Sequence, residues 1–399
     1  MSTSSTYRQV IENIHKELMT SELSEDIGLH AGTSGVALFL AYYDRVIHQH
    51  NEVNPRLMEI VEHNITQIDS GNRQYTICRG ISGFGWLCEH LRKLGMLNGE
   101  DIQFLDDLDP FLGRMMIADI RRGNYDLLHG AIGAGTYFLS RFDKKEVPGY
   151  LEELLAELEK SVIPCENDSV KWLSILNHKT GEEGYNISLS HGMSSIVALL
   201  TRLYRLNFET ERVASLLTRA ITYILAQITY TENSNSYFPS YSKEHSSGYH
   251  NSRLGWCYGD LGIAHTLWQT AIALKDKELE NTALRILCYN TTRRDMQKNN
   301  IRDAGLCHGS CGVAHIFWNL FLHTGIQEFR ETTDYWLNIT MLMAENSDGL
   351  TGLKPWRKDD DDSSEDPCSL LEGFSGIGLV LLSQLTGNKL AWDECLMLS

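Results

Sequence analysis

The stretch Cys307-His308-Gly309-Ser310-Cys311-Gly312 runs directly into the apolar segment Val313–Phe321. A single pair of glycines three residues apart would mean little at the entrance to an apolar run. The arrangement, however, occurs seven times in order, the fourth copy lacking its second glycine, with first glycines at Gly32, Gly80, Gly130, Gly192, Gly259, Gly309 and Gly373. The copies follow one another at intervals of roughly 48 to 67 residues, a period typical of solenoids and closed arrays. The chain is therefore predicted to be a seven-fold repeat.

Two helical segments accompany each glycine pair. The sequence after the pair is apolar on nearly every side, as in Ile196–Leu203 and Ile377–Leu385, which is typical of a buried helix. The sequence before it is more polar, with apolar residues recurring at spacings of three and four, which indicates an amphipathic outer helix. These outer segments are Tyr7–Leu18, Pro55–Ile68, Gln103–Ile120, Gly149–Leu158, Thr210–Thr229, Lys277–Arg293 and Gln327–Met343.

The burial pattern favours a closed ring over an open superhelix. A helix pair cannot cover its own apolar side, so the repeats must stack. Inner helices that are apolar all round would still face solvent in an open superhelix, whereas a ring covers them. We therefore predict an all-α fold, an α/α toroid of seven helical hairpins with seven inner and seven outer helices, forming a single domain over residues 1–399.

Three long connections interrupt the repeat, at about residues 164–189, 230–255 and 346–369. Each leads into the start of an inner helix, so all three are expected to border the mouth where the glycine loops converge. The third contains the acidic run Asp359–Asp362, which is expected to be solvated. The second carries four aromatic residues able to line a peptide groove, namely Tyr237, Phe238, Tyr241 and Tyr249.

Aligning the repeats on the first glycine brings two cysteines into register. Cys257 and Cys307 both stand two residues before that glycine, on neighbouring repeats, and His308 follows Cys307. Two thiolates and one imidazole suit zinc and leave a fourth position for water or substrate, as in catalytic zinc sites. Cys78 stands at the same position of its repeat, but that repeat is distant, so we exclude Cys78 as a ligand. Cys311 falls at a position where small packing residues recur, so it is expected to pack and not to bind the metal. We therefore predict one zinc ion per chain, bound by Cys257, Cys307 and His308.

The amino-acid composition limits the partners and the cellular compartment that the protein is expected to have. The net charge of −17 argues against nucleic acid and favours a cationic peptide. Nine cysteines, an odd number, fit a reducing compartment better than a disulfide framework. The polar N-terminus lacks a signal-peptide pattern, and no apolar run approaches about 18 residues. The protein is expected to be soluble, without a transmembrane segment, and cytoplasmic.

The motifs together resemble the lanthionine synthetase C family of lantibiotic cyclases. The resemblance rests on Trp256-Cys257-Tyr258-Gly259, Cys307-His308-Gly309, Ser190-His191-Gly192 and Ser369-Leu370-Leu371-Glu372-Gly373, in the family's order from His30 to about Leu385.

The resemblance implies a zinc-dependent toroidal enzyme of antibiotic biosynthesis. It would close thioether rings by adding a peptide cysteine thiol to dehydroalanine or dehydrobutyrine in a ribosomally made precursor. It implies a separate dehydratase, and an association with that enzyme and an exporter at the membrane is a further expectation. Residue by residue, the family's metal ligands fall on Cys257, Cys307 and His308, and its other site residues on His191, Asp126, Arg253 and Tyr258.

General chemistry suggests roles for the last four residues. Histidine titrates near neutral pH, so His191 is the candidate general acid that protonates the α-carbon after thiol attack. Asp126 would orient His191 or take the thiol proton. Arg253 and Tyr258 would stabilise the enolate oxygen.

Structural alternatives remain open for each of these residues. As alternatives to these roles, Asp126 would cap a helix, His191 would fill a buried core position, and Tyr258 would pack against its neighbours. Arg253 would alternatively pair with an acid such as Asp260. His129 shares the register of His191 and is interpreted as a wall residue.

Two other functions also fit parts of the sequence. A protein prenyltransferase-like barrel would likewise use zinc to activate a peptide thiol, although two cysteines one repeat apart suit it poorly. A non-catalytic relative would use zinc to hold glutathione or a peptide thiol, but Asp126, His191 and Arg253 would then be superfluous.

Overall fold

The computed structural model describes residues 3–49, 53–177, 180–232, 234–244, 251–345, 350–356 and 366–399. Fourteen α-helices lie within these ranges, in the predicted alternation of outer and inner segments. The outer helices are α1 (Thr3–Thr20), α3 (Pro55–Asp69), α5 (Phe104–Arg121), α7 (Val147–Lys160), α9 (Thr210–Ala226), α11 (Lys277–Asn290) and α13 (Gln327–Glu345). The inner helices are α2 (Thr33–Tyr43), α4 (Ile81–Lys93), α6 (Ala131–Ser140), α8 (Met193–Arg205), α10 (Asp260–Leu274), α12 (Ser310–Thr324) and α14 (Phe374–Thr386).

The first long connection is not an irregular loop but contains two short antiparallel strand pairs. Strand β1 (Ile163–Pro164) pairs with β2 (Val170–Lys171), and β3 (Ser174–Asn177) pairs with β4 (Glu182–Gly184). Strands of this length are too short to show the alternation by which a strand is recognised in a sequence. The prediction of the all-α class holds, with these strands as a local addition.

The chain divides into two compact units. The first unit comprises Met1–Asp107, Ile301–Cys395 and Ser399, and the second comprises Leu108–Asn300 and Leu396–Leu398. In the first unit, the inner helices α12, α14, α2 and α4 contact one another in that order. In the second unit, α6 contacts α8, and α8 contacts α10. Consecutive repeats therefore pack through their inner helices, as predicted for a stacked array.

Tight loops before the inner helices explain the glycine repeat. The first helical N–H donates back across the loop, from Ser310 to the Asp303 carbonyl at 3.0 Å and from Phe374 to the Pro367 carbonyl at 2.7 Å. The backbone approaches itself so closely that a Cβ on Gly312 would overlap the carbonyl oxygen of Leu306. Glycine is required there because only it lacks the atom that would collide.

The C-terminal segment is buried within the protein. Residues Ala391–Leu396 form a 3₁₀ helix, and the side chains of Trp392 and Asp393 are fully buried. In the first unit, Asp393 accepts a hydrogen bond from Nε2 of His315 at 2.9 Å. In the second unit, the indole N–H of Trp256 donates to the carbonyl of Leu396 at 2.8 Å, so the segment helps to fix the residue beside Cys257.

Within the described ranges, no helix is both long and apolar enough to cross a membrane. All nine cysteines lie in those ranges, and none forms a disulfide.

Candidate active site

Backbone hydrogen bonds hold successive glycine loops side by side within each unit. In the second unit, Leu127 N–H donates to Ser190 O at 3.2 Å and Ser190 N–H donates to Cys257 O at 3.3 Å. In the first unit, the corresponding bonds run from Cys307 to Leu371 at 3.0 Å and from Leu371 to His30 at 3.0 Å. The residues just before each first glycine are thereby placed next to one another from loop to loop.

In the second unit, this arrangement brings Asp126 and His191 together. Oδ2 of Asp126 lies 2.6 Å from Nδ1 of His191. The other carboxylate oxygen, Oδ1, accepts the backbone N–H groups of Leu128 at 2.7 Å and His129 at 2.8 Å. Asp126 therefore both stabilises its own loop and holds the imidazole, but it does not cap α6, whose N-cap residue is Gly130.

The two side chains shift each other's ionisation. Burial alone would lower the pKa of His191 below its usual 6.5, but the charge and hydrogen bond of Asp126 outweigh burial and raise it. For Asp126, burial would raise the pKa, but the charge and hydrogen bond of His191 lower it below 3.8. The side chain of His191 is 28% exposed and that of Asp126 is 11% exposed, so the pair is sheltered but reachable.

Tyr258 completes an aromatic group around this pair. Its ring centroid lies 5.6 Å from that of His191 and 5.7 Å from that of Tyr241, which meets it edge-on. The amide of Asn186 donates to its hydroxyl at 3.4 Å. Burial and the neighbouring Tyr241 raise the pKa of Tyr258, so its hydroxyl stays protonated and can act as a donor.

Three other predicted residues lie near this group, namely Cys257, Arg253 and His129. Cys257 is 4% exposed, and its charge contributes to the raised pKa of His191. Arg253 is half-buried in the loop that leads to Cys257. The ring of His129 lies 6.3 Å from that of His191.

The alternative pairing of Arg253 with Asp260 is wrong. Asp260 is fully buried and pairs with Nη1 of Arg293 at 3.2 Å. Its carboxylate also accepts the backbone N–H groups of Tyr237 at 2.9 Å and Phe238 at 2.9 Å, which fastens the second long connection to the start of α10. Asp260 is therefore already partnered by a structural ion pair. Tyr249 and the Asp359–Asp362 run lie outside the described residues.

In the first unit, Cys307 and His308 stand beside two carboxylates. Cys307 is 6% exposed, and Nδ1 of His308 lies 3.6 Å from Oε1 of Glu372. One oxygen each from Asp303 and Glu372 and one nitrogen of His308 lie within 4.8 Å of one another. Asp303 uses both oxygens to hold the backbone, accepting the N–H groups of Gly305 at 3.0 Å and Trp356 at 3.2 Å.

Several contributors to the site were not identified from the sequence. Asn186 and Arg293 contact predicted site residues or hold their loops, and neither was singled out in the sequence. Tyr241 was predicted only to line a peptide groove, and Glu372 was noted only as part of a motif, although it shares the register position of His191, Tyr258 and His308.

Comparison with known proteins supports both the fold and the family resemblance. A family profile described as "Lanthionine synthetase C-like protein" matches residues 24–397. The chain is similar in structure to nisin cyclase, with a TM-score of 0.71 and 19% identity, covering 98% of this chain and 97% of that chain. At this identity the similarity shows the fold, and the predicted α/α toroid is confirmed.

Other comparisons give lower scores or none. A sugar epimerase from a ruminal bacterium has a TM-score of 0.48 and 12% identity, covering 98% of this chain and 100% of that chain. A polysaccharide lyase has a TM-score of 0.45 and 10% identity, covering 97% and 98%. Curated protein sequences give no significant match.

Proposed function

Because this chain belongs to the lanthionine synthetase C-like family, we propose that it is a zinc-dependent lanthionine cyclase. In the proposed reaction, a cysteine thiol of a dehydrated precursor peptide adds across the double bond of a dehydroalanine or dehydrobutyrine. The S–C bond forms at the β-carbon, the thiol loses its proton, and one proton is added at the α-carbon. The addition therefore needs no oxidant or reductant, and it closes a lanthionine or methyllanthionine ring.

The observation that carries the proposal is the pair formed by the carboxylate of Asp126 and the imidazole of His191. The loop that holds His191 is hydrogen-bonded to the loop that holds Cys257. With Nδ1 engaged by Asp126, Nε2 is the nitrogen of His191 that exchanges protons with the substrate. The raised pKa of His191 keeps more of it protonated at neutral pH, as a general acid for the α-carbon requires.

We assign the metal to Cys257, Cys307 and His308, the ligand set that the register of the repeats predicts. Two thiolates and an imidazole are donors that suit zinc, and three protein ligands leave one position for substrate. Cys257 and Cys307 are each buried in their own unit, and the side chain of His308 is 26% exposed. A zinc ion bound there would supply the charge that keeps a substrate thiol deprotonated at neutral pH.

Tyr258 and Arg253 would act on the oxygen of the substrate. Negative charge develops on the carbonyl oxygen of the dehydrated residue as the sulfur attacks. The hydroxyl of Tyr258 is held by Asn186 at 3.4 Å and stays protonated, so it can donate a hydrogen bond to that oxygen. We place the guanidinium of Arg253, from the same loop, as a second donor.

The partners follow from the substrate. A dehydratase must first convert serine or threonine to the dehydrated residue, and the cyclised peptide must then be exported. We propose that the protein is cytoplasmic and associates with the dehydratase and the exporter at the membrane. Reducing conditions there would keep the cysteine ligands and the substrate thiol available.

One assay separates this function from the alternatives. Purified protein is mixed with a dehydrated, cysteine-containing precursor, and alkylatable thiols and peptide mass are followed together. A cyclase removes one thiol per ring with no change in mass. A prenyltransferase-like enzyme would instead require a lipid donor and increase the mass, and a thiol-binding protein would leave both unchanged after denaturation.

Metal analysis tests the ligand assignment separately. The wild-type protein should contain about one zinc per chain. Cys307→Ala should lose zinc but keep its helical circular dichroism, whereas Cys288→Ala, at an exposed cysteine of α11, should keep both. Stoichiometric zinc in Cys307→Ala would exclude this residue as a ligand.

A further inference from the structure

Glu372 occupies the residue before the first glycine of the last repeat, and its carboxylate faces His308. Oε1 of Glu372 lies 3.6 Å from Nδ1 of His308, and the two side chains are 17% and 26% exposed. A surface ion pair would gain little from such a contact. Here, both side chains are largely sheltered from solvent.

The backbone fixes this contact in place. Both Leu306 and Cys307 donate their N–H groups to the carbonyl of Leu371, at 2.8 Å and 3.0 Å. His308 directly follows Cys307 in the chain, and Glu372 directly follows Leu371. The hydrogen bond from Cys307 to Leu371 therefore brings the backbones of His308 and Glu372 close together. The approach of the carboxylate to the imidazole is therefore built into the pairing of the two loops.

The other nearby carboxylate has a different task. Asp303 is 4% exposed, and its two oxygens accept the backbone N–H groups of Gly305 and Trp356. These bonds shape the loop that leads to Cys307. Asp303 therefore supports the backbone, while Glu372 is the carboxylate directed at the imidazole.

We propose that Glu372 is a positioning residue for the metal, whose carboxylate attracts the Nδ1–H side of His308 and so turns Nε2 toward the ion. This inference rests on the proposed function, in which His308 is a zinc ligand. Carboxylates that hold the second nitrogen of a ligating histidine fix its orientation and strengthen its binding. Direct binding of Glu372 to the ion would fill the fourth position that a substrate thiol needs.

The test compares zinc affinity in matched variants by competition with a chromophoric chelator at constant pH. Glu372→Gln keeps the size of the side chain but removes its charge, and it should weaken zinc binding by about 10- to 100-fold. Glu372→Asp keeps the carboxylate and should give an intermediate loss. The control Glu328→Gln, at an exposed position of α13, should bind like the wild type.

Cobalt substitution separates positioning from direct ligation. If Glu372 only orients His308, the thiolate-to-cobalt and ligand-field bands of Glu372→Gln should match those of the wild type once the site is saturated. Altered ligand-field bands would show that Glu372 is itself a ligand and would overturn the proposal. Unchanged zinc affinity in a folded Glu372→Gln variant would overturn it as well.

The same measurements distinguish this proposal from the proposed function. A wild-type protein that binds no stoichiometric zinc would overturn the proposed function and this inference together. A wild-type protein that binds zinc, with Glu372→Gln equally tight, would overturn the inference alone. Circular dichroism and unfolding midpoints of each variant identify any loss of zinc affinity that comes from misfolding. If Glu372→Gln misfolds, the zinc affinity of Glu372→Asp decides the outcome.

Discussion

Replacing Asp126 by Asn removes the charge that holds His191 while keeping the size of the side chain. In the wild type, Oδ2 of Asp126 lies 2.6 Å from Nδ1 of His191, and Oδ1 accepts two backbone N–H groups. An asparagine oxygen can preserve the two backbone bonds. The variant therefore isolates the interaction with the imidazole from the support of the loop.

The magnitude follows from the type of bond. A hydrogen bond to a charged group contributes roughly 1.5–3 kcal/mol, and one pKa unit corresponds to about 1.4 kcal/mol. Because the side chains are only 28% and 11% exposed, screening by solvent is moderate. Asp126→Asn should therefore lower the pKa of His191 and cost about 1.5–3 kcal/mol of stability where both wild-type groups are charged.

The sign of the effect on stability depends on both partners. The raised pKa of His191 means that its contribution is complete below the unfolded pKa and is lost as the pH rises through the folded one. The lowered pKa of Asp126 means that its contribution is present above the unfolded pKa and is lost as the pH falls through the folded one. The variant should therefore be most destabilised between these limits, near about pH 5 to 6, and the difference should shrink at higher pH.

NMR titration of labelled histidine, together with urea unfolding across pH, measures both quantities. The control is Asp276→Asn, because Asp276 accepts the N–H groups of Glu278 and Leu279 at 3.0 Å each at the start of α11. That variant should leave the pKa of His191 unchanged. An unchanged pKa of His191 in Asp126→Asn would refute the idea that this carboxylate tunes the imidazole.

Three further outcomes are expected. His191→Ala should retain zinc but close rings about 10²-fold more slowly or worse in single-turnover assays, and an unchanged rate would reduce His191 to a packing residue. Gly312→Ala should lower the free energy of unfolding by about 2 kcal/mol or more, because its Cβ would overlap the Leu306 carbonyl. Gly149→Ala, whose Cβ would meet nothing within 4 Å, should change it by less than about 1 kcal/mol, and equal unfolding midpoints for the two variants would contradict the steric account. Asp260→Asn should cost about 3–5 kcal/mol in urea unfolding, because Arg293 would remain buried beside a neutral partner, and wild-type stability would contradict that account.

The architecture was predictable because its constraint is local and recurs. Each inner helix is preceded by a glycine where the loop folds back on its own backbone, as at Gly80 against the Gln74 carbonyl and Gly373 against the Pro367 carbonyl. The same steric requirement leaves the same mark in each repeat, and the apolar run that follows identifies the buried helix. The order of helices therefore followed from the sequence alone.

The contacts that tune the site were less predictable, because they join residues far apart in the chain. The sequence offers Arg253 as an alternative partner for Asp260, but the partner of Asp260 is Arg293, 33 residues later. Arg293 reaches Asp260 only because α11 packs back against α10. The contact between Glu372 and His308 likewise depends on the hydrogen bonds that pair two loops, and no local sequence pattern predicts this contact.

X-ray absorption at the zinc edge most directly tests the claim that Cys257, Cys307 and His308 hold one zinc ion with a position open to substrate. The account predicts two sulfur ligands at about 2.3 Å and at least one nitrogen at about 2.0–2.1 Å, with a third sulfur appearing when a cysteine-containing precursor is added. Fewer than two protein sulfurs, or no change on adding the peptide thiol, would contradict it.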